Sequence, residues 1–90
     1  MPIEVQKNPP DSLLAQLRVK SWSIWEKEVS KFPWTYDESE TCYLLEGEVV
    51  VTPDGGAPVS FGKGDLVVFP AGLSCTWDIR KPVRKHYRFG

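Results

Sequence analysis

From Phe32 to Gly47 the chain reads FPWTYDESETCYLLEG, a stretch dense in residues that bind or react: Trp34, Tyr36, Glu40 and Cys42. Cys75, Trp77 and the one histidine, His86, follow further along. Three chemistries draw on this set. Tyr36, Glu40 and His86 are the types used for general acid–base catalysis once burial has tuned them. Cys75 beside a cation such as Lys85 or His86 would be an activated thiolate. Glu40, Cys42, Cys75 and His86 are together a mixed set of zinc-type ligands, reached if strand alternation turns them to one face. A binding reading stands beside these. Trp34, Tyr36 and Trp77, with Glu40, Cys42 and Cys75, would line a π-rich pocket for a small flat or aliphatic molecule, Glu40 orienting a donor or a cation.

Each residue also has a plainer role. Free cysteines commonly bury as small hydrophobes. Glu40 would pair with a basic residue of the C-terminal segment such as Arg84 or Lys85. With four tryptophans in the chain some must be core, Trp22 and Trp25 first among them. No CxxC, nucleophile elbow, triad spacing or glycine-rich phosphate loop is present to favour a particular enzyme.

The elements that must position these residues are short strands. Pro9-Pro10-Asp11-Ser12 offers turn and N-cap chemistry before a helix over Leu13 to Leu17. After it come β-prone segments from Trp22 through Val29, Thr41 to Leu45, Val49 to Thr52, Val59 to Phe61, Leu66 to Phe69, Cys75 to Ile79 and Val83 to Phe89. Glu46-Gly47, Pro53-Asp54-Gly55-Gly56, Gly62-Lys63-Gly64-Asp65 and Pro70-Ala71-Gly72 punctuate them. Many short strands at near-regular spacing predict an all-β sandwich or barrel. Ninety residues allow one core, so residues 1–90 are read as a single domain.

Eleven Lys and Arg against twelve Asp and Glu leave a net charge of −1, which argues against nucleic acid as a partner despite the aromatics between the last basic residues. The charges are unevenly placed. Asp37, Glu38, Glu40, Glu46 and Glu48 crowd one segment, and Arg80, Lys81, Arg84, Lys85 and Arg88 another. Facing strands with complementary charges account for this better than a basic strip awaiting an acidic partner. No apolar run approaches the about 20 residues that span a membrane. The N-terminal MPIEVQKNPPD lacks a signal peptide's apolar stretch, so a cytoplasmic location is expected, or a plastid one after removal of a transit peptide.

Two spacings carry a family resemblance. Glu40 precedes Gly47 by an E-x6-G interval, and Gly64, Pro70 and Gly72 stand as G-x5-P-x-G. The ordered pair resembles the cupin superfamily, with motifs G-x5-HxH-x3-4-E-x6-G and G-x5-P-x-G-x2-H-x3-N, over residues 34–47 and 64–79. More narrowly, FPWTYDESETCYLLEG, GDLVVFPAGL and TWDIRKPVRKHY resemble the small single-domain cupins grouped with ureidoglycine aminohydrolase, whose function is unassigned. The resemblance implies an all-β, single-domain cupin jelly-roll β-barrel with one short N-terminal helix. In metal-binding cupins the ligands are the HxH pair, the Glu and the second-motif His. Here the HxH positions hold Trp34 and Tyr36, the Glu is Glu40, the second His position holds Cys75, and the Asn position holds Ile79. The expectation is therefore a small-molecule-binding cupin without the histidine metal site and without a cofactor, working as a homodimer, with a metal-independent enzyme as an extension of that reading. The alternatives are a hydrolase or aminohydrolase-like enzyme on a Glu/Cys site, with a divalent metal if Glu40, Cys42, Cys75 and His86 converge, and an interaction module built on the basic C-terminal strand.

Overall fold

The computed structural model describes residues 2–90. Seven strands dominate: β1 (Glu4–Gln6), β2 (Ser23–Lys27), β3 (Ser30–Thr35), β4 (Glu40–Pro53), β5 (Val59–Gly62), β6 (Leu66–Phe69) and β7 (Ser74–Phe89). One helix, α1 (Asp11–Leu17), and a short 3-10 turn at Val19–Ser21 connect β1 to β2. None of the described helices is long and apolar enough to cross a membrane.

All pairing is antiparallel, and β4 and β7 run beside each other for most of their length. The first half of β4 also pairs with β6, which pairs with β1, while its second half pairs with β5. Strand β7 does the same in reverse, its first half beside β3 and its second beside β2. The two long strands thus belong to both walls of the fold, β1-β6-β4-β7-β2 and β5-β4-β7-β3. The chain passes from wall to wall where the β4–β7 register shifts, between Leu44 and Val49. Strands that change sheet through bulges make the corners of such a barrel.

Sequence punctuation misplaces this corner. Glu46-Gly47 reads as a break, and Cys75 to Ile79 and Val83 to Phe89 read as separate strands, but the structure carries β4 and β7 straight through both places. Gly47 bends the strand instead of ending it: its φ is +117°, and a Cβ there would lie 2.9 Å from the Pro82 carbonyl oxygen and 2.9 Å from Val83 Cγ2. The segment read as one strand from Trp22 through Val29 is β2, and a turn then leads into β3. The helix begins at Asp11, two residues before the leucine run, with Pro10 at the N-cap and no side-chain cap bond.

Between the walls lie Leu44, Val49, Val51, Phe61, Val67, Phe69, Trp77, Ile79 and Val83, all buried. Each such side chain contributes about 1.5–3 kcal/mol by leaving water. Asp65 ties the second glycine-rich turn to this core: its Oδ2 accepts from Gly62 N at 2.9 Å and from Lys7 Nζ at 2.8 Å.

Part of the uneven charge settles as cross-strand pairs. Lys81 meets Glu48 at 3.2 Å, Arg84 meets Glu26 at 3.3 Å, and Lys85 meets Glu40 at 2.9 Å. The first two are exposed and contribute about 0–1 kcal/mol each; the third is enclosed.

Candidate functional site

A cavity of about 260 Å³ opens between the walls. Strand β3 and the residue after it supply Phe32, Trp34 and Tyr36; β2 supplies Trp25 and β4 supplies Glu40. Strand β7 contributes Trp77, Lys85, Tyr87 and Phe89, odd-numbered positions that period-two alternation keeps on the inner face. Trp34 and Phe89, each 49% exposed, form the rim.

The floor carries one ion pair. Lys85 Nζ donates to Glu40 Oε2 at 2.9 Å, and both side chains are 5% exposed. The same ammonium lies 4.9 Å from the Trp25 ring centroid, 4.7 Å from Trp77 and 5.8 Å from Tyr87. An aromatic cage for a cation is therefore built here, and the protein's own lysine fills it. A desolvated cation over an indole gains about 2 kcal/mol, which together with Glu40 offsets the cost of taking the ammonium out of water. The other oxygen of Glu40, Oε1, has no hydrogen-bond partner among the described residues, while every fully enclosed side-chain oxygen and nitrogen there has one. Oε1 is thus the oxygen that keeps contact with the cavity.

Tyr36 stands beside this pair, 2% exposed, with its ring stacked on Phe69 at 4.9 Å and 9°. Its hydroxyl accepts from Trp77 Nε1 at 3.2 Å, and the hydroxyl's own proton has no acceptor among the described residues. Burial, and next the Glu40 charge, raise the proton affinity of the phenol far above its ordinary value, so Tyr36 is a neutral donor.

Cys42, Cys75 and His86 stand outside the cavity lining. Cys42 is fully buried in the core behind Glu40, and Cys75 Sγ points to the Trp34 carbonyl at 3.6 Å. His86 lies on the other face of β7, as its even number requires, with Nδ1 3.2 Å from the Trp22 carbonyl oxygen. Lys85 is engaged by Glu40, and its charge lowers the Cys42 thiol by less than burial raises it. Burial pushes Cys42 up to about 12 and Cys75 up to about 11, the charge of Asp54 adding to the latter. The thiolate nucleophile considered from sequence is not formed by this arrangement.

A pH dependence follows with a definite sign. Unfolded thiols lose their protons near 9.0, while the folded ones hold them to about 11 and about 12. The folded state binds more protons in that window, so stability that is complete below 9.0 falls as pH rises through it, by about 1.4 kcal/mol per pH unit for each thiol. Urea unfolding between about pH 8 and pH 11 should show this decline, shallower in a Cys42→Ala/Cys75→Ala variant. Equal profiles for the two proteins would contradict it.

The residues present do not fit the metal of metal-binding cupins. Among the described residues no three of His, Cys, Asp and Glu converge. Indole nitrogen offers no lone pair at Trp34, Tyr36 holds its proton, and the carboxylate that would ligate is bonded to an ammonium.

Trp22 and Trp25, expected in the core, are both half-buried: Trp25 lines the cavity, and Trp22 lies under Arg88, whose guanidinium is 4.9 Å from its ring. Trp77 is the buried core tryptophan. The cavity residues that sequence reasoning missed are Lys85, Trp25, Phe32, Tyr87 and Phe89. A signal for three of them existed, since 85, 87 and 89 keep the phase of Trp77, but Pro82 hides the continuity of β7.

Residues 14–87 match the family described as the EutQ-like cupin domain. The chain is similar to a DUF861 family protein from Thermotoga maritima, at 49% identity and a TM-score of 0.96, over 99% of this chain and 100% of that one. It also resembles the EutQ protein of Clostridium difficile, at 26% identity and TM-score 0.67, and a putative ethanolamine utilization protein Q of Salmonella typhimurium, at 29% identity and 0.66. Those two similarities each cover 73% of this chain, and the match spans about half of each relative, 52% and 53%. No curated protein matches the chain.

Proposed function

The chain belongs to the EutQ-like cupin family, and from that premise we infer that its aromatic cavity binds a compact, uncharged small molecule, without the histidine metal site of metal-binding cupins. The observation that carries this reading is the Glu40–Lys85 pair, closed on itself at 2.9 Å inside walls that are otherwise almost wholly aromatic. A volume of about 260 Å³ lies just under the range of about 300–1,000 Å³ usual for ligand pockets, so the ligand is small.

The charge balance selects against ions. An anion would face Glu40. A cation would need the indole faces of Trp25 and Trp77, which Lys85 already covers. That revises the expectation that a ligand cation sits there. It bears on the relative described as a putative ethanolamine utilization protein, because ethanolamine is an ammonium ion near neutral pH and would compete with Lys85. The enzyme built on Glu40 and a cysteine gains no support, since both thiols are outside the lining.

Tryptophan fluorescence tests the reading, because Trp25, Trp34 and Trp77 all border the cavity. Titration with cyclohexanone, ethanolamine and acetate should perturb the emission with the neutral compound at least about tenfold tighter than either ion, a difference of about 1.4 kcal/mol. Tighter binding of ethanolamine than of the neutral compound would overturn it.

A further inference from the structure

We propose that this cavity enolises a neutral carbonyl compound, with Glu40 Oε1 removing a proton from the carbon beside the carbonyl while the Tyr36 hydroxyl donates a hydrogen bond to the carbonyl oxygen. The proposal rests on the binding reading above and names the reaction class of the same site.

The polar groups of the lining select this chemistry by what they are and by what is missing. Besides indole N–H groups the cavity holds one carboxylate, one ammonium and two phenols; it contains no serine, threonine or thiol to attack an acyl or glycosyl centre. The ammonium is engaged by Glu40 and covered by two indoles. The acceptor that remains open to a ligand is Glu40 Oε1, and among the donors of the lining, the indole N–H groups and the Tyr36 and Tyr87 hydroxyls, the Tyr36 O–H is the one whose oxygen is fixed by a hydrogen bond, from Trp77 Nε1.

Both are held in place. Lys85 fixes Glu40 through Oε2 at 2.9 Å and leaves the second oxygen to act as a base. Trp77 donates to the Tyr36 hydroxyl at 3.2 Å, which orients the phenol and strengthens it as a donor. Phe69, stacked at 4.9 Å, keeps its ring from swinging. A preorganised donor in an apolar cavity, aimed where negative charge develops, lowers the barrier to an enolate most. A buried carboxylate beside it supplies the proton acceptor.

The step balances without a further reactant. The C–H bond breaks as its proton goes to Glu40 Oε1. Its electron pair forms the carbon–carbon double bond, and the carbonyl π pair moves onto the oxygen that Tyr36 holds. Once the Glu40 carboxyl has traded that proton for one from solvent, delivery of the solvent proton to the same carbon gives exchange; delivery to a conjugated carbon further along gives an isomer. With a single base the proton leaves and returns on one face.

The test uses the whole protein with cyclohexanone in deuterated water. Deuterium entering the α positions is followed by proton NMR, and occupancy is followed in the same sample by tryptophan fluorescence. The wild type should exchange faster than protein-free buffer. Tyr36→Phe should lower the protein-catalysed rate by about 100-fold, and Glu40→Gln by about 100-fold or more. Because Glu40→Gln leaves Lys85 without its counter-charge and need not fold, Tyr36→Phe carries the decision: it keeps the ring and its stack, costs Trp77 Nε1 its acceptor, and is certified by a cooperative melt that lies above the assay temperature. Cyclohexanone that binds without exchanging overturns the enolisation and leaves the binding reading standing. Failure to bind overturns both. Equal exchange by wild type and Tyr36→Phe overturns the role of the phenol and with it the proposal.

Discussion

Replacing Lys85 by methionine is expected to cost about 3–5 kcal/mol of folding stability, because it leaves the Glu40 carboxylate buried without a counter-charge. The two side chains are each 5% exposed and 2.9 Å apart. Methionine has nearly the shape of the lysine stem and would still cover Trp25 and Trp77, so the loss isolates charge from packing. The reverse change, Glu40→Gln, strands the ammonium but leaves it the indole faces, and should cost less. Replacing both partners, as Glu40→Gln with Lys85→Met, should recover much of the loss, since an enclosed ion pair contributes little net stability beyond a well-packed apolar substitute. Urea unfolding of the four proteins gives the coupling directly. A Lys85→Met protein within about 1 kcal/mol of wild type would show that water reaches the pair, and the account of the cavity as a neutral, desolvated site would then be wrong.

At the corner of the barrel the expected effect is comparable. Gly47→Ala forces a side chain into a backbone at φ +117° and sets its Cβ 2.9 Å from the Pro82 carbonyl and from Val83 Cγ2. Backbone strain of about 1–3 kcal/mol adds to overpacking of about 1–3 kcal/mol. Gly55→Ala supplies the control: its φ is +73°, yet nothing lies within 4 Å of the added carbon, so only the conformational term of about 1–2 kcal/mol applies. Thermal melts of the two variants should therefore differ clearly, and equal losses would mean that the corner does not depend on close approach of β4 and β7.

Gly47 also explains why part of the fold was readable. The E-x6-G and G-x5-P-x-G spacings mark turns and bends, where only glycine tolerates the backbone or the approach, and such places leave a trace in residue type. The disappearance of the metal ligands was legible for the same reason, because Trp34, Tyr36 and Cys75 stand in plain order where the resemblance implies histidines. Reading Gly47 as a break was the corresponding error: residue type tells that the backbone does something unusual, not whether the strand resumes beyond it. β1, only three residues long, carries too little pattern to be seen at all.

By itself the sequence determined the all-β class, the turns at Pro53–Gly56, Gly62–Asp65 and Pro70–Gly72, the loss of the histidine set and the complementary charge of two segments. These are local properties, set by backbone freedom, side-chain period and composition. Only the tertiary structure decided that Lys85 is the partner of Glu40, that Trp77 is buried core while Trp25 is half-buried though both border the cavity, and that Cys42, Cys75 and His86 stand apart from it. Glu40 and Lys85 are 45 positions apart, and they meet because the regular β4–β7 register sets Lys85 opposite Leu44, in phase with Glu40 along the same face. Alternation tells which face a side chain takes along one strand. Which residue it meets on another strand depends on the register between strands far apart in sequence, here Glu40 against Phe89 and Leu44 against Lys85, and packing of the two walls sets that register.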